Sequence, residues 1–212
     1  MRDVLAPGDT AIDIGAYKGG YTYWMRDAVG GAGRVFAFEP QPDLRTRLER
    51  MSRALAWENV SVHGVAVSDE EGRVVIHVPS TSSSPRASID WQRDGARAVP
   101  VSRTTLDAVL GADGEGRRLT FLKCDVEGHE MAVLRGARRI LERDRPRLLV
   151  ECEERHNPSH TVRDVVEYLD RLGYDGSFFL GRERLPAAAF DPLWRQVPGR
   201  RPYGNNFAFE PR

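Results

Sequence analysis

Cysteine, surplus charge and long apolar runs are all scarce in this chain, and each absence removes a class of protein. Cys124 and Cys152 are the only two thiols in 212 residues. Both sit in apolar, strand-like stretches, which suits a reducing compartment better than a disulfide-stapled secreted domain. Thirty-one basic residues balance thirty-one acidic ones, so no global field draws in nucleic acid or an anionic membrane. No apolar run approaches the roughly 18 residues that cross a bilayer, and the N-terminus already carries Arg2, unlike a signal peptide. The expectation is a soluble, cytoplasmic chain whose partner is a small molecule, with no nucleic acid and no membrane. At this length one core buries roughly 70% of the unfolded surface, and residues 1–212 are expected to form one domain.

What is present is an alternation of strand and helix signals from end to end. Thr10–Ile14 reads as a short buried strand, after which Tyr21, Trp24, Met25 and Ala28 recur at helical spacing until Gly30-Gly31. Arg34–Glu39 is the next strand. Leu44, Leu48, Met51 and Leu55 mark an amphipathic helix opened by Pro42, and Asn59–Val67 is a third apolar run. Residues 68–102 break the rhythm with a hairpin-like strand at Arg73–Val78, a polar loop, and an extended piece at Val99-Pro100-Val101. This insertion is placed to act as a cover. The alternation then resumes with a helix over Thr104–Leu110, a strand at Leu119–Cys124, a helix over Glu130–Arg143, a strand at Arg147–Cys152 and a helix over Thr161–Leu172. Tyr174–Leu180 and Asn206–Phe209 have strand character with only the long loop 181–204 between them, so they are expected to pair antiparallel. The predicted class is α/β, with a mostly parallel sheet and one antiparallel strand near the C-terminus.

Two strand tips carry the first candidate site. Asp13-Ile14-Gly15-Ala16-Tyr17-Lys18-Gly19 ends one strand in a glycine turn, and Phe38-Glu39-Pro40 ends the next in a carboxylate. Gly15 and Gly19 permit close backbone approach, and Glu39 is suited to accept hydrogen bonds from ribose hydroxyls. The pattern Asp-x-Gly-x-x-x-Gly is not the dinucleotide Gly-x-Gly-x-x-Gly, and Asp13 stands where a pyrophosphate would have to lie. A ligand that is cationic at that end fits better: S-adenosylmethionine rather than NAD.

A second cluster, Lys123-Cys124-Asp125-Val126-Glu127-Gly128-His129-Glu130, follows a strand where open α/β sheets collect ligands. Asp125 is the first choice for a general base, with Glu127 beside it, although both residue types also cap helices. Glu130 and His129 read as solvated residues of a first helical turn. A third cluster places Glu151 at the next strand end, where two like charges facing one pocket raise one pKa, and His156 is a rival base. Glu153 and Glu154 read as a solvated charge run. Asp125, Glu127, Glu151 and His156 are donor types that Mg²⁺ or Mn²⁺ uses, but no compact spacing marks a centre, and no metal is expected. Trp91, Trp194, Tyr203 and Phe207 read as core or lid packing rather than as a pocket wall.

These blocks, together with Ala66-Val67-Ser68, Leu106-Asp107, Leu134-Arg135-Gly136-Ala137 and Arg145-Pro146, resemble the FkbM family of S-adenosylmethionine-dependent methyltransferases. The resemblance spans about residues 8–154 and is most specific in Asp125-Val126-Glu127-Gly128-His129-Glu130. It implies a Rossmann-like class I methyltransferase fold with a seven-stranded sheet and helices on both faces. It further implies that Asp13, Gly15, Ala16 and Tyr17 lie against the methionine part of the cofactor, that Glu39 and Pro40 hold the ribose, and that Ala66 and Val67 meet the adenine, with Asp125 at the reacting end. Tyr17 stands where relatives commonly carry Asn, so a backbone contact is expected there. The implied reaction is O-methylation of a hydroxyl on a sugar or secondary metabolite; a catalytically silent cofactor-binding module is the alternative, and a homodimer is left open.

Overall fold

The computed structural model describes residues 4–79, 87–89, 95–112, 116–156 and 159–212. Its centre is five short parallel strands: β1 (Thr10–Ile14), β2 (Arg34–Phe38), β3 (Val60–His63), β7 (Leu119–Cys124) and β8 (Arg147–Glu151). They are parallel because the chain returns through a helix or a longer excursion after each, and their near-continuous apolar sequences reflect burial on both faces. β1 lies between β2 and β7. From β1 the chain builds outward in one direction through β2 and β3, then crosses back to β7 and β8 on the other side. The crevice at that reversal is where a ligand gathers.

Beyond β8 the sheet continues with β11 (Asn206–Pro211), antiparallel to both of its neighbours, and then β9 (Tyr174–Leu180). These seven strands reproduce the expected sheet, including the antiparallel pairing across residues 181–204. The stretch read there as loop supplies an eighth strand, β10 (Glu183–Pro186), which hairpins onto the outer edge of β9. Its alternation is too short and too exposed to register as a strand from residue types alone.

Helices cover both faces. α1 (Gly20–Val29) packs Met25 and Val29 against Ala11 and Val35, while α2 (Pro42–Ala54) sets Leu48 against Ala16 and Ala37. The opposite face carries α3 (Leu106–Ala112), α4 (Glu130–Arg135), α5 (Arg138–Asp144) and α6 (Val162–Arg171), whose Val165 and Leu169 join Tyr174, Phe178, Phe207 and Phe209 in the main core. Each such side chain contributes about 1.5–3 kcal/mol on full burial. Thr161 opens α6 with a capping box: its hydroxyl accepts the Asp164 amide, and the Asp164 carboxylate accepts the Thr161 amide.

Two predicted elements are divided in the structure. The run Asn59–Val67 is not one strand, because the chain leaves the large sheet after β3, and β4 (Ala66–Val67) pairs in parallel with β6 (Arg97–Thr104). β6 also pairs antiparallel with β5 (Gly72–Val78), so the insertion is a separate three-stranded sheet. The helix expected over 130–143 breaks into α4 and α5 at Gly136, where a Cβ would collide with the Ser68 carbonyl oxygen. A Gly136→Ala protein is expected to lose at least about 1–3 kcal/mol from overpacking, read as a lower urea midpoint with an unchanged slope. An unaltered midpoint would mean the two segments separate freely.

Candidate active site

The tips of β1, β2 and β7 are stitched together by main-chain bonds. The Gly15 and Ala16 amides both donate to the Phe38 carbonyl at 3.0 Å, and the Asp125 amide donates to the Ile14 carbonyl at 3.1 Å. A Cβ on Gly15, whose φ is +74°, would collide with the Asp125 carbonyl oxygen. Gly19, at φ +78°, leaves room for Leu48 and Met51, both of which a Cβ would meet within 2.7 Å. The close approach that these two glycines permit is thus to the protein itself, and it brings the three tips around one cavity.

That cavity measures about 250 Å³. It is lined by Gly15, Ala16, Tyr17, Glu39 and Pro40, by Ala66 and Val67 of β4, and by Lys123, Asp125 and Glu127. Apolar residues of the inserted sheet, Ile76 with Ala87 and Ile89, close the wall near β4. Residues 80–86 and 90–94 of the expected cover, Trp91 among them, lie outside the described residues. A larger groove of about 1330 Å³ runs along α6 and residues 186–198, but none of the three strand tips lines it.

Glu39 is buried at the β2 tip, with one carboxylate oxygen accepting the Tyr17 amide at 2.8 Å and the other the Gln41 amide at 2.9 Å. Burial pushes its pKa up to about 7, even though the two amides favour the charged form. Tyr17, held at φ +50°, thus directs its amide at Glu39. Asp13 and Gly19 are not among the lining residues. Asp13 is 0% exposed and accepts the Thr22 hydroxyl at 2.6 Å, while its second oxygen lies 3.5 Å from Lys123 Nζ.

Lys123 is the residue to which the sequence reading assigned no role. Its ammonium is buried between Asp13 and Asp125, 3.3 Å from Asp125 Oδ2, and donates to the Gly15 carbonyl at 3.1 Å. Burial opposes its charge, but Asp13 and Asp125 overcome that and hold its pKa above the usual lysine value. A signal was present: a lysine inside Phe121-Leu122-Lys123-Cys124 interrupts a strand buried on both faces.

The proposed bases converge. Asp125, with a side chain 30% exposed, faces the cavity, and burial with the nearby Glu127 raises its pKa. Glu127, at φ +53°, has Oε2 2.8 Å from Nδ1 of His156, which is buried. Glu151 and His156 lie behind the lining; Glu151 accepts from Asn205 Nδ2 at 2.7 Å, and burial together with the Asp125 charge pushes its pKa up to about 8. Glu153 is not part of a solvated run, because it is buried against Arg155, Asn205 and the Tyr203 hydroxyl, which donates to it at 3.0 Å. His129 and Glu130 are also buried, with His129 Nε2 3.0 Å from the Ser68 hydroxyl and Glu130 accepting the Gly128 amide. Phe207 is core, as expected, whereas Trp194 is exposed.

The family model for the methyltransferase FkbM domain matches residues 13–175. The chain belongs to the FkbM methyltransferase family. By fold, this FkbM chain is similar to the methyltransferase FkbM of Methylobacillus flagellatus, with 17% identity, a TM-score of 0.62, and coverage of 98% of this chain and 48% of that one. It thus spans about half the length of that relative. An S-adenosylmethionine-dependent O-methyltransferase of Thermotoga maritima matches at 16% identity and TM-score 0.51 over 100% of this chain and 62% of its own. Aeropyrum pernix fibrillarin, with S-adenosyl-L-methionine bound, matches at 14% identity and TM-score 0.54 over 98% and 68%. No curated protein matches the chain. The cofactor of this fold and family is S-adenosylmethionine, and the cavity fits it chemically: its lining combines the ordered Glu39 carboxylate, an apolar wall at β4, and the acidic groups Asp125 and Glu127.

Proposed function

We propose that this FkbM chain moves a methyl group from S-adenosylmethionine to a hydroxyl oxygen of a small molecule, a sugar or secondary metabolite. The observation that carries this reading is the Asp125 carboxylate, which lines the same cavity as Glu39 and is paired with the Lys123 ammonium at 3.3 Å. The balanced charge of the chain supports a small acceptor in a cytoplasmic setting over nucleic acid or membrane. No helix among the described residues is long and apolar enough to cross a bilayer.

Bound cofactor supplies a methyl on a cationic sulfur whose leaving thioether needs no acid. The protein's share is alignment and one proton. Glu39, with both oxygens already ordered by main-chain amides, takes the ribose hydroxyls, and Ala66, Val67 and Ile76 present apolar surface to the adenine. Asp125 accepts the acceptor's hydroxyl proton, with Glu127 beside it held by His156. Holding the oxygen about 3–3.5 Å from the methyl supplies most of the rate, and the base adds roughly 10²–10⁴-fold.

Cofactor affinity should rise with pH. Hydroxyl donors need Glu39 ionised, so ligand binding releases a proton below pH 7, and Kd for S-adenosylhomocysteine should fall about tenfold between pH 6 and 8, then level off. The empty protein behaves oppositely: the Glu39 contribution to stability is complete below the ordinary 4.5 and is lost as pH rises through about 7. Calorimetry on the parent and on Glu39→Gln checks this. The variant should bind more weakly and lose the pH slope; equal slopes in the two proteins would remove Glu39 from ribose recognition.

A further inference from the structure

Three side chains outside the cavity lining meet where the chain enters α4, leaves β8 and approaches α6. A carboxylate oxygen of Glu130, Sγ of Cys152 and a ring nitrogen of His160 all lie within 4.8 Å of one another. Glu130 is the first residue of α4, Cys152 follows the last residue of β8, and His160 immediately precedes the Thr161 cap of α6.

Glu130 is 1% exposed. One of its oxygens accepts the Gly128 amide at 3.0 Å, while the other is buried with no hydrogen-bond partner. A buried acceptor left in that state is destabilising, and more so when charged. Packing alone does not call for a carboxylate there. Cys152 is also buried, and His160 is half-buried.

Thiolate, imidazole and carboxylate are the donors Zn²⁺ takes, at about 2.0–2.3 Å, which places the ligand atoms of a tetrahedral ion about 3.3–3.8 Å apart. Small side-chain rotations close the observed spacing to that range. A thiolate in the set selects against Mg²⁺, Ca²⁺ and Mn²⁺. We propose that Glu130, Cys152 and His160 bind one Zn²⁺ ion, with water in the fourth position. The ion ties together three segments distant in sequence. Its mechanical effect falls on the turn carrying Asp125 and Glu127, which ends at Glu130.

Cobalt makes the site visible. Full-length protein stripped with EDTA and titrated with Co²⁺ is expected to develop a thiolate-to-cobalt charge-transfer band in the near ultraviolet, saturating at one equivalent and erased by Zn²⁺. Zn²⁺ should also raise the thermal midpoint of the stripped protein. Cys152→Ser and His160→Ala should each lose the band and the midpoint shift, while Cys124→Ala, which alters the other buried thiol, keeps both. If Cys152→Ser does not fold, His160→Ala decides the matter, since its ligand lies in a half-buried position and its circular dichroism should match the parent. No thiolate band in the parent overturns the proposal. A band that survives His160→Ala, or that vanishes with Cys124→Ala in a folded protein, overturns it equally.

Discussion

An Asp125→Asn protein is expected to methylate its acceptor about 10²- to 10⁴-fold more slowly in kcat, while S-adenosylhomocysteine binds as it does to the parent. Asparagine keeps the shape of the side chain and offers Lys123 an oxygen at the same place, so the 3.3 Å contact has a neutral equivalent. It cannot take up a proton. Burial and Glu127 already raise the Asp125 pKa, which makes the wild-type carboxylate a better acceptor than a solvated aspartate. Labelled methyl transfer against a panel of hydroxylated metabolites identifies the acceptor, and single-turnover kinetics on that acceptor measures the chemical step. Equal single-turnover rates for variant and parent would remove Asp125 from the proton transfer. If cofactor affinity fell instead while the rate at saturation held, Asp125 would be a binding group.

The second large effect falls on stability. Lys123→Met is expected to cost about 3–5 kcal/mol, because removing one member of a buried ion cluster strands the others. Asp13 has no solvent to turn to, being fully buried with Thr22 as its hydroxyl donor, and Asp125 loses its counter-charge. Urea denaturation reads the loss. Adding Asp13→Asn to Lys123→Met should recover part of it, giving a coupling energy between the two positions that independent sites do not show. A single-variant loss below about 1 kcal/mol, typical of an exposed pair, would mean that the cluster does not hold the β1 and β7 tips together.

Much of this site was legible because strand tips announce themselves. Asp13, Glu39, Asp125 and Glu151 each stand at the end of an apolar run, and the parallel order brings those ends to one edge of the sheet. Position along a strand does not reveal which way a carboxylate turns. Asp13 alternates with Ile12 and Ile14, so it points into the α1 side toward Thr22 and not into the cavity. His129, Glu130, Glu153 and His156 carry charged or polar character that reads as solvated in a linear pattern, yet long-range neighbours bury all four. Gly136 is another such case, since the need for a residue without a Cβ comes from Ser68, far away in the chain.

Residue periodicity and turn chemistry by themselves determined the α/β class, seven strands of the large sheet in their chain order, though not where the third of them ends, the antiparallel C-terminal pairing and the two acids at the tips of β1 and β2. Those are local properties, written in neighbours a few residues apart. Only the tertiary structure decided that Lys123 joins Asp13 to Asp125, that β4 leaves the large sheet to line the cavity, and that Glu130, Cys152 and His160 meet. These depend on which strand lies beside which, and burial, counter-charge and the meeting of distant side chains arise from that adjacency in space rather than from spacing along the chain.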